Sequence, residues 1–234
     1  MTNCYRFADV NIRITYINEA VNLYCKDYRT DEPADFAVII EQKDIDYERS
    51  RAEHSGFSDA YLETLAVYRK IAERMPQYDA CLLHGSAIAV DGAAYIFTAA
   101  SGTGKSTHAR LWRELLGDRA VMINDDKPFI RVHSDGTAAA YGTPWDGKHH
   151  LSRNIAAPVR SVCILERSAE NHIRQITKEE AFPMLLRQIY RPADPEALSK
   201  TLKLIDRLNV KLYRLGCNME SEAAEISYNT MKEE

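Results

Sequence analysis

The stretch Ala93-Ala94-Tyr95-Ile96-Phe97-Thr98-Ala99-Ala100-Ser101-Gly102-Thr103-Gly104-Lys105-Ser106-Thr107 decides how this chain folds. Six strand-forming residues run straight into a loop with two glycines, and a helical stretch from Ser106 to Leu116 follows, stopped by Gly117. Strand, glycine-rich loop and helix in that order are the sequence form of a phosphate-binding P-loop. The spacing fits the Walker A pattern, except that Ala99 stands where the first glycine is expected. Gly102 and Gly104 permit backbone conformations that aim successive N–H groups inward as an anion nest, and a helix starting near Lys105 adds its positive end. On this reading Ser101, Gly102, Thr103, Gly104, Lys105, Ser106 and Thr107 hold the phosphates of a nucleotide. Lys105 supplies a point charge for the β- and γ-phosphates, and Ser106 a hydroxyl ligand for Mg²⁺. The plain alternative is a glycine-containing turn with a surface lysine. The strand before the loop and the helix after it weigh against that alternative.

Downstream, Val121-Met122-Ile123-Asn124-Asp125-Asp126 forms a short strand ending in paired carboxylates. A carboxylate at the end of a strand beside a P-loop is where a Walker B aspartate holds Mg²⁺. Two in succession allow one to hold the metal while the other takes the proton of an attacking hydroxyl. Further strands are expected at 129–132, 138–141, 159–165, 173–176 and 210–215. Asp135-Gly136 forms a hairpin turn, Thr177–Glu180 a capping box opening a helix, Asp194-Pro195 a second helix start, and a last helix runs from Glu220.

Upstream, Ala80–Gly85 and Ser86–Val90 read as strand material ending in an Asp91-Gly92 turn. Hairpin-linked strands beside a strand–loop–helix unit predict an α/β fold with a mixed β-sheet. The first third is expected to form a small N-terminal α+β unit. It has strands near 10–16 and 35–40 and a linking helix that runs from an N-cap at Ser58 to Met75-Pro76. The division is therefore 1–78 for this unit and 79–234 for the P-loop domain.

A net charge of −4 over 234 residues, with no run of Lys or Arg, offers no electrostatic footprint for nucleic acid or an acidic membrane. Cys4, Cys25, Cys81, Cys163 and Cys217 are widely spaced, with no C-x-x-C pair, as expected of free thiols in a reducing cytoplasm. The start of the chain lacks the apolar core of a signal peptide, and no apolar run is long enough to span a membrane. A cytoplasmic protein is expected.

His84-Gly85, the Asp91-Gly92 turn, Ser101-Gly102-Thr103-Gly104-Lys105-Ser106 and Asp125-Asp126 together resemble the catalytic domain of HPr kinase/phosphorylase, over about Leu82 to Arg131. The same architecture occurs in phosphoenolpyruvate carboxykinases. Beyond Arg131 the chain lacks the glycine- and arginine-containing C-terminal signature of the HPr kinase/phosphorylase family and looks like a shorter group of HPr-kinase-like proteins. The resemblance implies an ATP- and Mg²⁺-dependent kinase acting on a hydroxyl of a peptide, protein or small molecule. It implies Asp125 as general base and Asp126 as magnesium ligand, two roles that could be exchanged, with His84 as an auxiliary group. HPr kinases assemble through their catalytic domains, so a homo-oligomer is compatible with the resemblance. A non-catalytic nucleotide-sensing module and an ATPase or phosphatase using water are the competing classes.

Tyr141-Gly142-Thr143-Pro144-Trp145-Asp146-Gly147-Lys148-His149-His150 is read as a shaped loop. Trp145 is expected to offer an apolar platform. Lys148 and Arg153 are expected to face the transferred phosphate and stabilise its developing charge. His149-His150 has no partner ligands that would make it a metal site.

Overall fold

The computed structural model describes residues 1–52 and 56–233. In chain order its elements are β1 Thr2–Phe7, β2 Val10–Thr15, α1 Ala20–Tyr24, β3 Phe36–Ile39, α2 Gln42–Arg51, α3 Asp59–Arg74, β4 Ala80–Leu82, β5 Gly85–Val90, β6 Ala93–Thr98, α4 Lys105–Leu116, β7 Ala120–Asn124, β8 Phe129–Val132, β9 Ala138–Tyr141, β10 Ala156–Arg167, β11 His172–Gln175, α5 Lys178–Gln188, α6 Pro195–Arg207, β12 Lys211–Cys217 and α7 Ser221–Met231. Helix starts follow local chemistry. Side chains of Ser58, Thr177 and Asp194 accept hydrogen bonds from the backbone N–H groups of Tyr61, Glu180 and Ala197.

A nine-stranded mixed sheet forms the frame, in the order β4-β8-β9-β10-β6-β5-β7, with β12 added to β10 and β11 to β12. Strand β10 is long enough to serve three partners. Its first residues run antiparallel to β9, and beyond an irregularity between Val159 and Ser161 it runs parallel to β6 and β12. Parallel pairing of β10 with β6 sets Ile164 against Thr98, while antiparallel β5 sets Gly85 against Thr98 and Ala87 against Asn124. This register gathers the ends of β6, β7 and β10 and the start of β5 at one edge. Open α/β sheets expose ligand-sized crevices at such an edge.

Helices cover both faces. Helices α5 and α6 bury Leu185, Leu204 and Ile205 against Ile96, Val162 and Leu212 on one side. Helices α4 and α7 bury Trp112 and Met231 against Phe97, Cys163 and Leu215 on the other. Ahead of this layer lies a three-stranded sheet, β1-β2-β3, antiparallel then parallel, packed by Val21, Leu62 and Ile71 from α1 and α3. Its core is continuous with Leu82 and Phe129 of the larger sheet and with Trp145 in the loop after β9.

Strand β1 and helices α1 and α2 were not among the expected elements. Helix α2 buries only Asp44 and Ile45, so no apolar stripe marks it. It is held instead by ions: Lys70 Nζ donates to Asp44 Oδ2 at 2.6 Å and Arg69 Nε to Glu48 Oε1 at 2.5 Å. Burial works against the Asp44 carboxylate, but Lys70, the Glu41 N–H and Arg69 outweigh it and hold its pKa below the ordinary value. No helix among the described residues is long and apolar enough to cross a membrane.

Candidate functional site

The glycine-rich loop leaves β6 at Thr98 and enters α4 at Lys105. Gly102 (φ +75°) and Gly104 (φ +121°) take the positive-φ conformations that only glycine adopts without strain, and Gly104 is the N-cap of α4. Lys105 is buried. Its Nζ turns back onto the loop, donating to the carbonyls of Ala99 at 3.0 Å and Ala100 at 3.4 Å. Burial lowers its pKa, opposed by the nearby charges of Asp126 and Asp125. A cation is thus held at the mouth of the loop without a direct ion pair among the described residues.

Asp125 and Asp126 follow β7 and diverge. Asp125 is buried, accepts from Ser86 Oγ at 2.7 Å and shares a cavity lining with Ser106. Burial raises its pKa, and the Ser86 and Ser106 hydroxyls and His149 act in the other direction. Asp126 is more open. One of its oxygens is 3.4 Å from His84 Nε2 and the other pairs with Lys127. Buried Asn124 fixes this divergence. Its Oδ1 accepts from the N–H groups of Asp126 and Lys127, and its Nδ2 donates to the carbonyl and hydroxyl of Thr143.

His84 sits between β4 and β5. Its ring Nδ1 is 3.1 Å from Gln188 Oε1, and its backbone N–H donates to the Gln188 carbonyl at 2.7 Å. Burial and then Lys105 lower the His84 pKa, against the pull of Asp126. A ring with one proton can donate to Asp126 or to Gln188 but not to both, so the two contacts compete for its tautomer.

The structure therefore brings together Lys105, Ser106, Asp125, Asp126 and His84, with Ser101, Gly102, Thr103, Gly104 and Thr107 in the same loop and first turn. The side chains of Lys148 and Arg153 make no hydrogen bond or ion pair with this group among the described residues, although Gly147 and His149, on either side of Lys148, both lie beside Asp125. Lys148 is exposed, and Arg153 lines a neighbouring cavity with Arg113, Val121 and Leu151. The platform expected of Trp145 is a correction. This residue is 3% exposed, donates its indole N–H to Thr64 O at 3.0 Å and packs against Phe7 and Tyr68. It fastens the loop to the N-terminal unit and presents no surface. Gly147 in the same loop lies against Asp125, where an added Cβ would come within 3.1 Å of Oδ2.

Ser86, Lys127 and Gln188 contact this group and Arg167 its loop, and none of them carried a motif. Lys127 also lies 5.6 Å from the Tyr68 ring centroid. Two cavities flank the loop. One of about 390 Å³ is lined by Ser106, Thr107, Arg110, Asp125 and His149. The other, of about 330 Å³, is lined by Thr98, Ala99, Ala100, Thr103, Arg167 and Arg187.

The model of one protein family, described as SynChlorMet cassette protein ScmC, matches residues 58–213, from the N-cap of α3 into β12. The chain belongs to this family. The family match spans the loop, both aspartates, His84 and Gln188. No curated protein matches the chain. Among solved structures, the Hpr(Ser) kinase/phosphatase from Coxiella burnetii is similar at 10% identity and a TM-score of 0.38, covering 64% of this chain and 92% of that one. The likeness is a distant one.

Proposed function

We propose that the chain transfers the terminal phosphoryl group of magnesium-bound ATP to a hydroxyl of a peptide, protein or small molecule. The observation that carries this reading is the meeting of a buried lysine on a glycine-rich loop with two adjacent carboxylates in different surroundings. The loop amides and Lys105 would grip the phosphates. Ser106 and Asp125 offer a hydroxyl and a carboxylate side by side, hard oxygen donors of the kind Mg²⁺ takes when phosphates and waters complete its shell. Burial disfavours the Asp125 anion, and a cation at this position would relieve that cost. Bound there, Mg²⁺ would supply charge to the phosphate oxygens.

This geometry favours exchanging the two roles implied by the resemblance, with Asp125 as the metal ligand and Asp126 as the base. Asp126 faces the open side, and Lys127 and His84 fix its oxygens. In the proposed step Asp126 takes the proton of the acceptor hydroxyl. The acceptor oxygen bonds to the terminal phosphorus as the bond to the departing ADP breaks, and Lys105 stays with the phosphates. Catalysis would come from positioning and electrostatics.

The test is MgATP binding by calorimetry together with phosphoryl transfer to water and to a panel of serine-containing peptides. Asp126→Asn should leave MgATP affinity nearly unchanged and slow transfer by roughly 10²–10³-fold. Asp125→Asn should weaken nucleotide binding only when Mg²⁺ is present. A wild-type chain that binds no nucleotide ends the proposal. Undiminished transfer by Asp126→Asn removes the base assignment, and binding without turnover on any acceptor leaves a nucleotide-sensing module.

A further inference from the structure

Strand β10 ends at Arg167, beside the end of β6, because the parallel register sets Ile164 against Thr98. On the other side of β6 come β5 and then β7 with the two aspartates. The 330 Å³ cavity thus opens on the flank of the loop away from Asp125, floored by Thr98, Ala99, Ala100 and Thr103.

Two guanidinium groups line it. Arg167 donates to the Gly102 carbonyl and so ties the crown of the loop to β10. Arg187, one residue before the end of α5, enters none of the ion pairs or side-chain hydrogen bonds found among the described residues. Glu166 on the same lining lies 3.4 Å from Arg214. Gln188, next to Arg187, lines the cavity and contacts His84, whose Nε2 is 3.4 Å from Asp126. The cavity is therefore one residue removed from the carboxylate that faces the open side. Guanidinium groups with no carboxylate partner, set against loop backbone, suit phosphoryl oxygens, which they can bind in a two-pronged fashion.

We propose that Arg187, with Arg167 behind it, forms an oxyanion subsite for the terminal phosphoryl group of the nucleotide, on the flank of the loop opposite Asp125. This rests on the nucleotide-binding reading above and gives Arg187 the task expected of Lys148 and Arg153. Arg187 touches the transferred group and is a catalytic residue in that sense. Arg167 acts through the loop it holds and is a positioning residue.

Calorimetric titration of the full chain with MgATP and with MgADP tests the subsite, since only the former carries the terminal group. Arg187→Gln should weaken MgATP binding roughly tenfold and change MgADP binding by less than about twofold, the loss of one charge-assisted contact. Arg187→Lys, which keeps the charge without the fork, should recover part of the preference. Equal weakening of both nucleotides, no change in either, or a wild type without preference for MgATP overturns the subsite and leaves nucleotide binding standing. A wild type that binds neither nucleotide ends the underlying reading, and the subsite with it.

Discussion

Lys105 and His108 lie within one turn of each other on α4, and both are buried, yet one faces the loop and the other the back of the domain. On the front, Lys105 keeps a charge that only two carbonyls contact directly, at 3.0 and 3.4 Å. On the back, His108 Nε2 is 3.0 Å from Ser227 Oγ, and Trp112 Nε1 donates to the same oxygen at 2.8 Å. Ser227 in turn donates to Ala224 O at 3.1 Å. With that proton committed, the two lone pairs of Ser227 are filled by His108 and Trp112. The back of α4 is a nearly closed hydrogen-bond account inside an aromatic cluster of Phe97, Trp112 and Tyr228. The front holds charge that its own residues do not complete. Closed polar groups serve stability, and an open one of this kind is what the proposed nucleotide would complete.

That contrast can be broken at either face. The largest effect is expected from Trp112→Ala. The ring is fully buried and packs on Phe97 and Tyr228, so its loss should lower unfolding free energy by about 3–5 kcal/mol in urea melts. A loss under about 1 kcal/mol would show that the back of α4 is not the anchor described here. Lys105→Met should do the opposite. Removing a buried charge without an ion pair should leave stability unchanged or raise it by up to about 1 kcal/mol, while MgATP affinity falls about a hundredfold. If Lys105→Met instead lost more than about 2 kcal/mol with binding intact, the lysine would be structural and the contrast would fail.

Sequence reading reached the front of α4 better than its back because the loop's chemistry is local. Gly102, Gly104, Lys105 and Ser106 are neighbours in the chain, and their geometry follows from residue type. The paired aspartates were visible for the same reason. Their different surroundings were not, because Ser86 reaches Asp125 through strand register, and Gln188 reaches His84, the neighbour of Asp126, from a helix end 104 residues away. Trp145 was misread because the glycines and proline around it suggest a surface turn. The ring is enclosed by Phe7 and Tyr68, which the N-terminal unit brings from far away. Helix α2 was missed because ion pairs and not an apolar stripe hold it. The mixed sheet was readable from its hairpin turns. The three partners of β10 were not, since nothing in an apolar run says how many neighbours a strand will have.

The smallest expected effect probes the one gap on the back of α4. His108 Nδ1 is buried with no hydrogen-bond partner among the described residues. A second ring proton would have to sit there uncompensated, and burial accordingly lowers the His108 pKa to about 4. In the unfolded chain the ring titrates near its ordinary value of about 6.5. The unfolded state therefore takes up a proton first as pH falls, and stability drains away between about pH 6.5 and 4, then levels off. Above that window the contribution is complete. By pH 5 the loss attributable to this ring should be about 2 kcal/mol. Urea melts at pH 7.5 and pH 5 on the wild type and on His108→Phe, which keeps a flat ring but cannot titrate, should differ in slope by that amount. Should the substitution unfold the domain, the ¹⁵N shift of the His108 ring in the wild type reads the same quantity directly. A ring that titrates near 6.5 in the folded protein would mean that water or another group reaches Nδ1, and the back of α4 would be as open as the front.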